Sequence, residues 1–233
     1  MIFSAFAVAA LALTDEAADR RLATLRARYA GVRAAIVRSV FTKAYESEAR
    51  PAYRLSTVTA FQRPNRISCI VVRNAETTPF LTYVTDGKAF RRVEDGEVTT
   101  GEFDPNEALP RAGVALEILA LWSGETLLRP GSRLLPHPLV AGTRPVTGPD
   151  GRSGWTTLAM PADEIDILID LKTGLIGSVR VGALPDRLTG TARPLYEFRV
   201  QSWDLRPKFP KDLFKIPEEK SDPVKTPLPS TPL

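Results

Sequence analysis

The sequence contains a single cysteine and a single histidine among its 233 residues. One cysteine cannot form a disulfide within the chain or a thiolate metal cluster, and one histidine cannot supply a metal-binding pair or a proton relay. Cys69 alternates with Ile67 and Val71, as a buried small residue does, and His137 lies between two prolines in a predicted loop. The sequence therefore predicts no metal, no cofactor and no thiol nucleophile.

Long apolar runs and basic blocks are also missing. No window near residues 34, 115 or 170 approaches the length of a membrane span. Basic residues outnumber acidic ones by 31 to 27, for a net charge of +4, but the two signs are interleaved along the chain. Because no basic stripe with interspersed aromatic residues is present, the sequence predicts no nucleic-acid interface.

A recognisable catalytic arrangement is missing as well. The stretch 151–154 reads GRSG, but it has neither the spacing nor the strand-turn-helix context of a serine-hydrolase elbow. Asp163, Glu164 and Asp166 lie in a predicted turn or on a solvent face, whereas glycosidase chemistry needs two separated acids that face a cleft. We therefore expect that the protein is not an enzyme.

The N-terminus carries an uncharged apolar run over residues 2–13, followed at once by Thr14-Asp15-Glu16. With Ala10-Leu11-Ala12 as an A-x-A cleavage site, residues 1–12 are typical of a secretory signal peptide, which predicts a periplasmic or otherwise exported protein. No Lys or Arg precedes the run. Either the start therefore lies upstream, or the segment is the first part of a buried helix.

A helical pattern covers residues 15–29, with Thr14 as a cap and Gly31 as the stop signal. Its apolar residues share one face: Ala18, Leu22, Leu25 and Tyr29. A second helical pattern begins at Asp104-Pro105. Its apolar residues are Leu109, Ala112, Leu116 and Leu119.

The rest of the chain shows the alternation of β-strands. Strands are predicted at about 32–45, 53–61, 66–73, 79–85, 88–94, 97–100, 155–161, 164–171, 175–182 and 192–204. Asp86-Gly87 and Asp95-Gly96 predict tight turns between consecutive strands. We expect a mainly β (α+β) fold, an incomplete and strongly curved antiparallel barrel with helices over its concave apolar face, in one domain at 13–217. Residues 218–233 are polar and proline-rich, which predicts a disordered tail.

Two short motifs resemble the paired signature of the LolA-like periplasmic lipoprotein carriers. They are Phe61–Arg66, with the sequence FQRPNR, and Val84–Lys88, with the sequence VTDGK. The order of elements is also similar, from the first helix to the closing Phe214–Pro217, FKIP. The resemblance thus covers nearly the whole predicted domain.

The resemblance implies a carrier, or chaperone, in protein transport, which binds the acyl chains of lipoproteins or other lipids under a helical lid. It implies that Arg63 bonds to the lid from the sheet; the alternative is a surface arginine at a strand end. It also leaves room for peripheral membrane contact and for an envelope protein partner. The residues expected to contact lipid are Tyr53, Leu55, Phe61, Ile67, Phe80, Ile167, Ile169, Tyr196 and Phe198 on the sheet and Leu22 and Leu116 on the helices; for each, the alternative is ordinary core.

The sequence departs from the family after Asp86-Gly87. Carriers usually place an aromatic pair in the next strand, and here only Phe90 remains. Two alternatives therefore stay open beside the carrier. One is an envelope sensor on the same scaffold, which binds lipid or lipoprotein and signals to a protein partner, and the other is a structural envelope domain whose cavity is filled by its own side chains.

Overall fold

A computed structural model describes residues 16–44, 53–74, 76–103, 140–141, 154–160, 165–182, 184–185, 192–193 and 195–217. Several predictions lie outside these residues. They are the signal peptide at 1–12, the second helix with Leu116, the loop with His137 and the tail at 218–233.

Helix α1 spans Glu16–Gly31 and ends at the predicted stop residue, two residues beyond the predicted range, while the predicted cap at Thr14 lies outside the described residues. Glu16 and Asp19 in its first turn and Arg28 in its last turn complement the helix dipole. Its buried residues are Ala18, Leu22, Leu25 and Tyr29. The predicted apolar face is thus confirmed.

Strands make up most of the described chain, and they are numbered β1 to β13 along it. Their bounds are Ala34–Lys43, Tyr53–Gln62, Arg66–Arg73, Leu81–Thr85, Ala89–Glu94, Glu97–Glu102, Val140–Ala141, Trp155–Met160, Ile165–Asp170, Leu175–Val181, Leu184–Pro185, Ala192–Arg193 and Tyr196–Asp204. One strand predicted over 192–204 is in fact two. Its first residues form β12, which pairs with β11 in a separate two-stranded sheet, and only β13 joins the main sheet.

The main sheet has eleven strands in the order β6-β5-β4-β3-β2-β1-β13-β10-β9-β8-β7. Neighbouring strands are antiparallel throughout. Two meanders, β1 to β6 and β7 to β10, are joined because β13 pairs with β1 on one side and with β10 on the other. The two outermost strands, β6 and β7, do not pair with each other in the described residues. The sheet is therefore an open, incomplete antiparallel barrel, as predicted.

The register places alternate residues of neighbouring strands on one face, which we call the inner face. Val37, Phe61, Ile67, Ile167 and Phe198 lie on it, and all are buried. These residues form one core cluster with the apolar residues of α1. The helix therefore packs on the inner face, which is the arrangement that the sequence predicts.

Strand β9 is buried on both faces near its centre. Ile167 and Ile169 point to the inner face, while Leu168 between them is also only 2% exposed. The strand predicted at 164–171 extends one residue too far at its C-terminal end. β9 ends at Asp170, and Leu171 lies in the following turn with 54% of its surface exposed.

Candidate lipid-binding face

Arg63 occupies the turn between β2 and β3, next to the end of α1. Its Nε donates a hydrogen bond to the carbonyl oxygen of Val32 at 2.9 Å, and its Nη2 donates to the carbonyl oxygen of Tyr29 at 3.1 Å. The last carbonyls of a helix have no partner within the helix, and the helix dipole makes them attractive to a cation. One guanidinium thus binds the C-terminal end of α1 through two nitrogen atoms of its rigid fork.

The surroundings of Arg63 are only partly solvated. Burial, and then the like charge of Arg33, lower the pKa of the Arg63 guanidinium. Arginine keeps its proton in proteins all the same. The two bonds are therefore charge-assisted, and bonds of this kind are stronger than neutral ones.

The two motifs of the sequence signature meet in space. Gly87 lies against Asn65, because a Cβ atom at residue 87 would be 3.2 Å from the Asn65 Cβ and 3.4 Å from its carbonyl oxygen. The φ angle of Gly87 is +95°, in the region that favours glycine. Asp86 holds this turn, since its Oδ1 accepts hydrogen bonds from the backbone N–H groups of Lys88 and Ala89. The turn with Asp86 and Gly87 thus supports the turn that carries Arg63.

Tyr29 joins the end of α1 to the opposite half of the sheet. It is fully buried, and its hydroxyl oxygen accepts a hydrogen bond from the backbone N–H of Ile176 in β10 at 3.1 Å. Its ring meets the ring of Trp203 in β13 edge to face, with 6.2 Å between centroids. The backbone carbonyl of the same residue accepts from Arg63. One residue of α1 therefore contacts both meanders.

Two further arginines fasten α1 along its flank. Arg21 donates through Nη1 to the Thr156 hydroxyl and to the Thr157 carbonyl oxygen, and Arg28 donates through Nε to the Thr173 carbonyl oxygen at 2.7 Å. Neither contact was predicted from the sequence. The sequence does contain an indication of these contacts. Arg21 and Arg28 are seven residues apart, so they lie on the same side of the helix, beside its apolar face.

The residues predicted to contact lipid come together in one place. Leu22, Leu55, Phe61, Ile67, Phe80, Ile167, Ile169 and Phe198 are buried in one core cluster, and Tyr53 packs against it half-buried. Tyr196 is half-buried near the end of the same face, where it stacks on Phe41 with 6.1 Å between centroids. Their contact with lipid stays a prediction.

The inner face also carries buried polar residues, which the sequence analysis did not single out. Thr59 donates through its hydroxyl to the Cys69 sulfur at 3.5 Å. Tyr83 is 1% exposed and stacks on Phe90 with 5.9 Å between centroids, and its hydroxyl has no hydrogen-bond partner among the described residues. Burial raises the pKa of this hydroxyl, with a smaller contribution from Cys69. Tyr83 is therefore protonated at physiological pH.

Arg92 faces Tyr83 directly across the β4–β5 pair. Its Nη2 is bonded to the carboxylate of Glu94, while its Nε is buried without a hydrogen-bond partner in the described part of the chain. The sequence pointed to this strand only as the place where an aromatic pair is missing. It gave no indication that a polar pair lies there.

A separate cleft of about 420 Å³ opens where β10 and β13 part. Pairing between these strands stops at Ser178 and Arg199. The cleft is lined in part by Trp155, Asp170, Gly177 and Trp203, and it contains none of the residues predicted to contact lipid.

The described residues include no group of three His, Cys, Asp or Glu side chains placed to hold a metal ion. Within the same residues, none of the helices combines the length and apolar character needed to cross a membrane.

No protein-family model matches the sequence, and no curated protein matches it. Solved structures do show a likeness. One is a Vibrio parahaemolyticus domain assigned to outer membrane lipoprotein sorting, with 9% identity and a TM-score of 0.39 over 85% of this chain and 97% of that one. Another is a LolA superfamily protein from Nitrosomonas europaea, with 11% identity and a TM-score of 0.36 over 85% and 97% of the two chains.

The LolA superfamily, which the sequence resembles, is thus among the structural matches. A further match is MucB in its complex with MucA, at 13% identity and a TM-score of 0.38. This alignment covers 86% of the present chain and 60% of MucB.

Proposed function

We propose that this protein is an exported envelope carrier that binds the acyl chains of lipoproteins or other lipids on the inner face of its sheet, beneath α1. The observation that carries the proposal is the pair of hydrogen bonds from Arg63 to the carbonyl oxygens of Tyr29 and Val32. These bonds fasten one end of a helix that covers an apolar face. A helix held in this way can act as a lid.

The chemistry of the face supports an apolar ligand. Its strands present mostly aliphatic and aromatic side chains toward α1. Each methylene of an acyl chain that leaves water for such a surface contributes about 0.8 kcal/mol. The free energy gained therefore grows with every methylene that an acyl chain buries on this face.

The sequence resemblance supports the same function. Its two motifs are the turn with Arg63 and the turn with Asp86 and Gly87, and these turns lie against each other. A signature of two separate motifs is thus one structural unit, and that unit holds the end of the proposed lid.

Native mass spectrometry and solvent extraction test the proposal on the full chain. Protein purified without detergent should release lipids with acyl chains, and it should bind a dansyl-labelled undecanoic acid that added phospholipid displaces. If extracts contain no lipid and the probe stays free at high micromolar protein, the inner face is a closed core and the proposal is wrong. A stable complex with an envelope protein in the same purification would favour the sensor instead.

A further inference from the structure

Three buried side-chain donors have no hydrogen-bond partner among the described residues, namely the Tyr83 hydroxyl, Arg92 Nε and Trp203 Nε1, and the first two of them are neighbours. Tyr83 and Arg92 are direct partners in the antiparallel β4–β5 pair, so their side chains leave the same face with Cβ atoms about 4.5 to 5.5 Å apart. The Tyr83 hydroxyl and the Arg92 Nε are both buried without a hydrogen-bond partner among the described residues. The two groups could bond to each other, but they do not.

Neighbouring contacts fix both side chains in place. The stack with Phe90, at 20° between ring planes, holds the Tyr83 ring. The bond to Glu94 holds the far end of the Arg92 guanidinium and leaves Nε as the inner donor. Arg92 remains 31% exposed, so the pair extends from the buried face toward its rim.

Such an arrangement is unfavourable without a ligand. Buried polar groups are nearly always bonded, and an orphaned donor loses the hydrogen bonds that water would give it. A nearby acceptor with two lone pairs, such as a carbonyl oxygen, would satisfy the O–H and the N–H together.

We propose that Tyr83 and Arg92 bind the ester or amide carbonyl at the head of an acyl chain on the inner face. This inference rests on the proposed function and adds the position and the class of the ligand's polar end. An uncharged carbonyl fits better than a free carboxylate, because the Glu94 carboxylate already takes one nitrogen of Arg92 and would repel a second anion. Burial disfavours a charged ligand in the same way.

Three probes with the same fluorescent chain test the site on the full-length protein. They are a methyl ester, the free acid and the hydrocarbon without a polar end. Native protein should bind the ester more tightly than either of the others. Tyr83→Phe, which keeps the ring and its stack, should weaken ester binding about fivefold to tenfold and leave hydrocarbon binding unchanged. Arg92→Lys, which lacks Nε, should act in the same direction.

Arg180→Lys is the matched control for Arg92→Lys, because Arg180 also pairs with a glutamate, Glu197, and has a similar exposure of 34%, but the register of β10 places it on the opposite face of the sheet. It should leave all three affinities unchanged. The melting temperature of ligand-free Tyr83→Phe should equal or exceed that of native protein, since the substitution removes an orphaned buried hydroxyl. A lowered value would mean that the hydroxyl has a partner within the protein, and this would overturn the site.

The remaining outcomes separate the inference from the function on which it rests. Unchanged ester binding by Tyr83→Phe, or tighter binding of the free acid than of the ester, overturns the carbonyl site while hydrocarbon binding still supports a carrier. If native protein binds none of the probes, both are wrong. Where the ester probe does bind, its displacement by a phospholipid or by a synthetic triacylated lipopeptide tells which source of acyl ester the site prefers.

Discussion

The Nη2 of Arg63 donates to the backbone carbonyl oxygen of Tyr29 at 3.1 Å, while the hydroxyl of the same tyrosine accepts from Ile176 in β10. The end of α1 is therefore held between two parts of the sheet that are far apart in the strand order. The two bonds differ in kind. The bond from Arg63 is charge-assisted and partly solvated, whereas the bond to the tyrosine hydroxyl is neutral and buried.

The first prediction concerns the partly solvated hydrogen bonds of Arg63. Arg63→Leu should speed both uptake and release of an acyl probe, because two charge-assisted bonds hold α1 in place. A contribution of roughly 1.5 to 3 kcal/mol corresponds to about one to two factors of ten in lid opening. The melting temperature should change little, since the apolar contacts of α1 remain. Stopped-flow fluorescence measures the rates.

Two further variants serve as comparisons for Arg63→Leu. Arg63→Lys should rescue poorly, because it keeps the charge but loses the fork. Arg66→Leu removes an exposed arginine from the same turn region and should behave like native protein. Unchanged rates in Arg63→Leu would mean that the arginine does not control the helix, and unfolding would make it a core anchor.

The second prediction concerns the buried hydrogen bond from the Ile176 N–H to the Tyr29 hydroxyl. Tyr29→Phe keeps the ring against Trp203 but leaves the N–H of Ile176 without its acceptor. An orphaned buried donor costs about 1 to 3 kcal/mol, so the urea midpoint should fall with little change in slope. Tyr53→Phe is the comparison variant. Because Tyr53 is only half-buried, the urea midpoint of this variant should fall less than that of Tyr29→Phe. Equal midpoints for Tyr29→Phe and native protein would contradict the prediction.

Local patterns were sufficient for most of the fold. The apolar period of α1, the alternation along β2 and the two Asp-Gly turns each depend on residues close in sequence, and each was predicted. The position of β13 between β1 and β10 depends on contacts across the whole chain, which no short window contains. The division of the predicted strand at 192–204 into β12 and β13 also depends on contacts that no short window contains.

The candidate site also has one part that the sequence predicts and one part that it does not. Arg63 was found because its motif is compact and resembles a known family. The pair of Tyr83 and Arg92 was not found, since it exists only through the register of β4 with β5. Polar residues in a strand are usually read as a solvent face, and here the pleat turns them toward the core.

The third prediction concerns export. The apolar run at 2–13 and the A-x-A sequence predict removal of residues 1–12. After secretion from a compatible host, Edman sequencing should find a mature N-terminus near Leu13. Ala12→Pro disrupts the site and should leave precursor uncleaved. An intact Met1 on cytosolic protein would contradict the prediction.

The last prediction tests the contact between the two motifs. Gly87→Ala would place a Cβ 3.2 Å from the Cβ of Asn65 and would force an L side chain into φ of +95°. Gly96→Ala is the matched control, because Gly96 has a similar φ of +88° in the next hairpin but nothing within 4 Å of its Cβ position. Both variants should lose stability from the backbone, by about 1 kcal/mol or more.

Only Gly87→Ala should also disturb the turn that carries Arg63, because its added methyl group pushes on Asn65. It should therefore unfold at lower urea than Gly96→Ala and release an acyl probe faster. Asn65→Ala keeps the Cβ and shortens the rest of the side chain, so it should leave native Gly87 in place and change the release rate less than Gly87→Ala does. Equal release rates for Gly87→Ala and Gly96→Ala would show that the two motifs act independently, and the support of Arg63 by the Asp86-Gly87 turn would then be wrong.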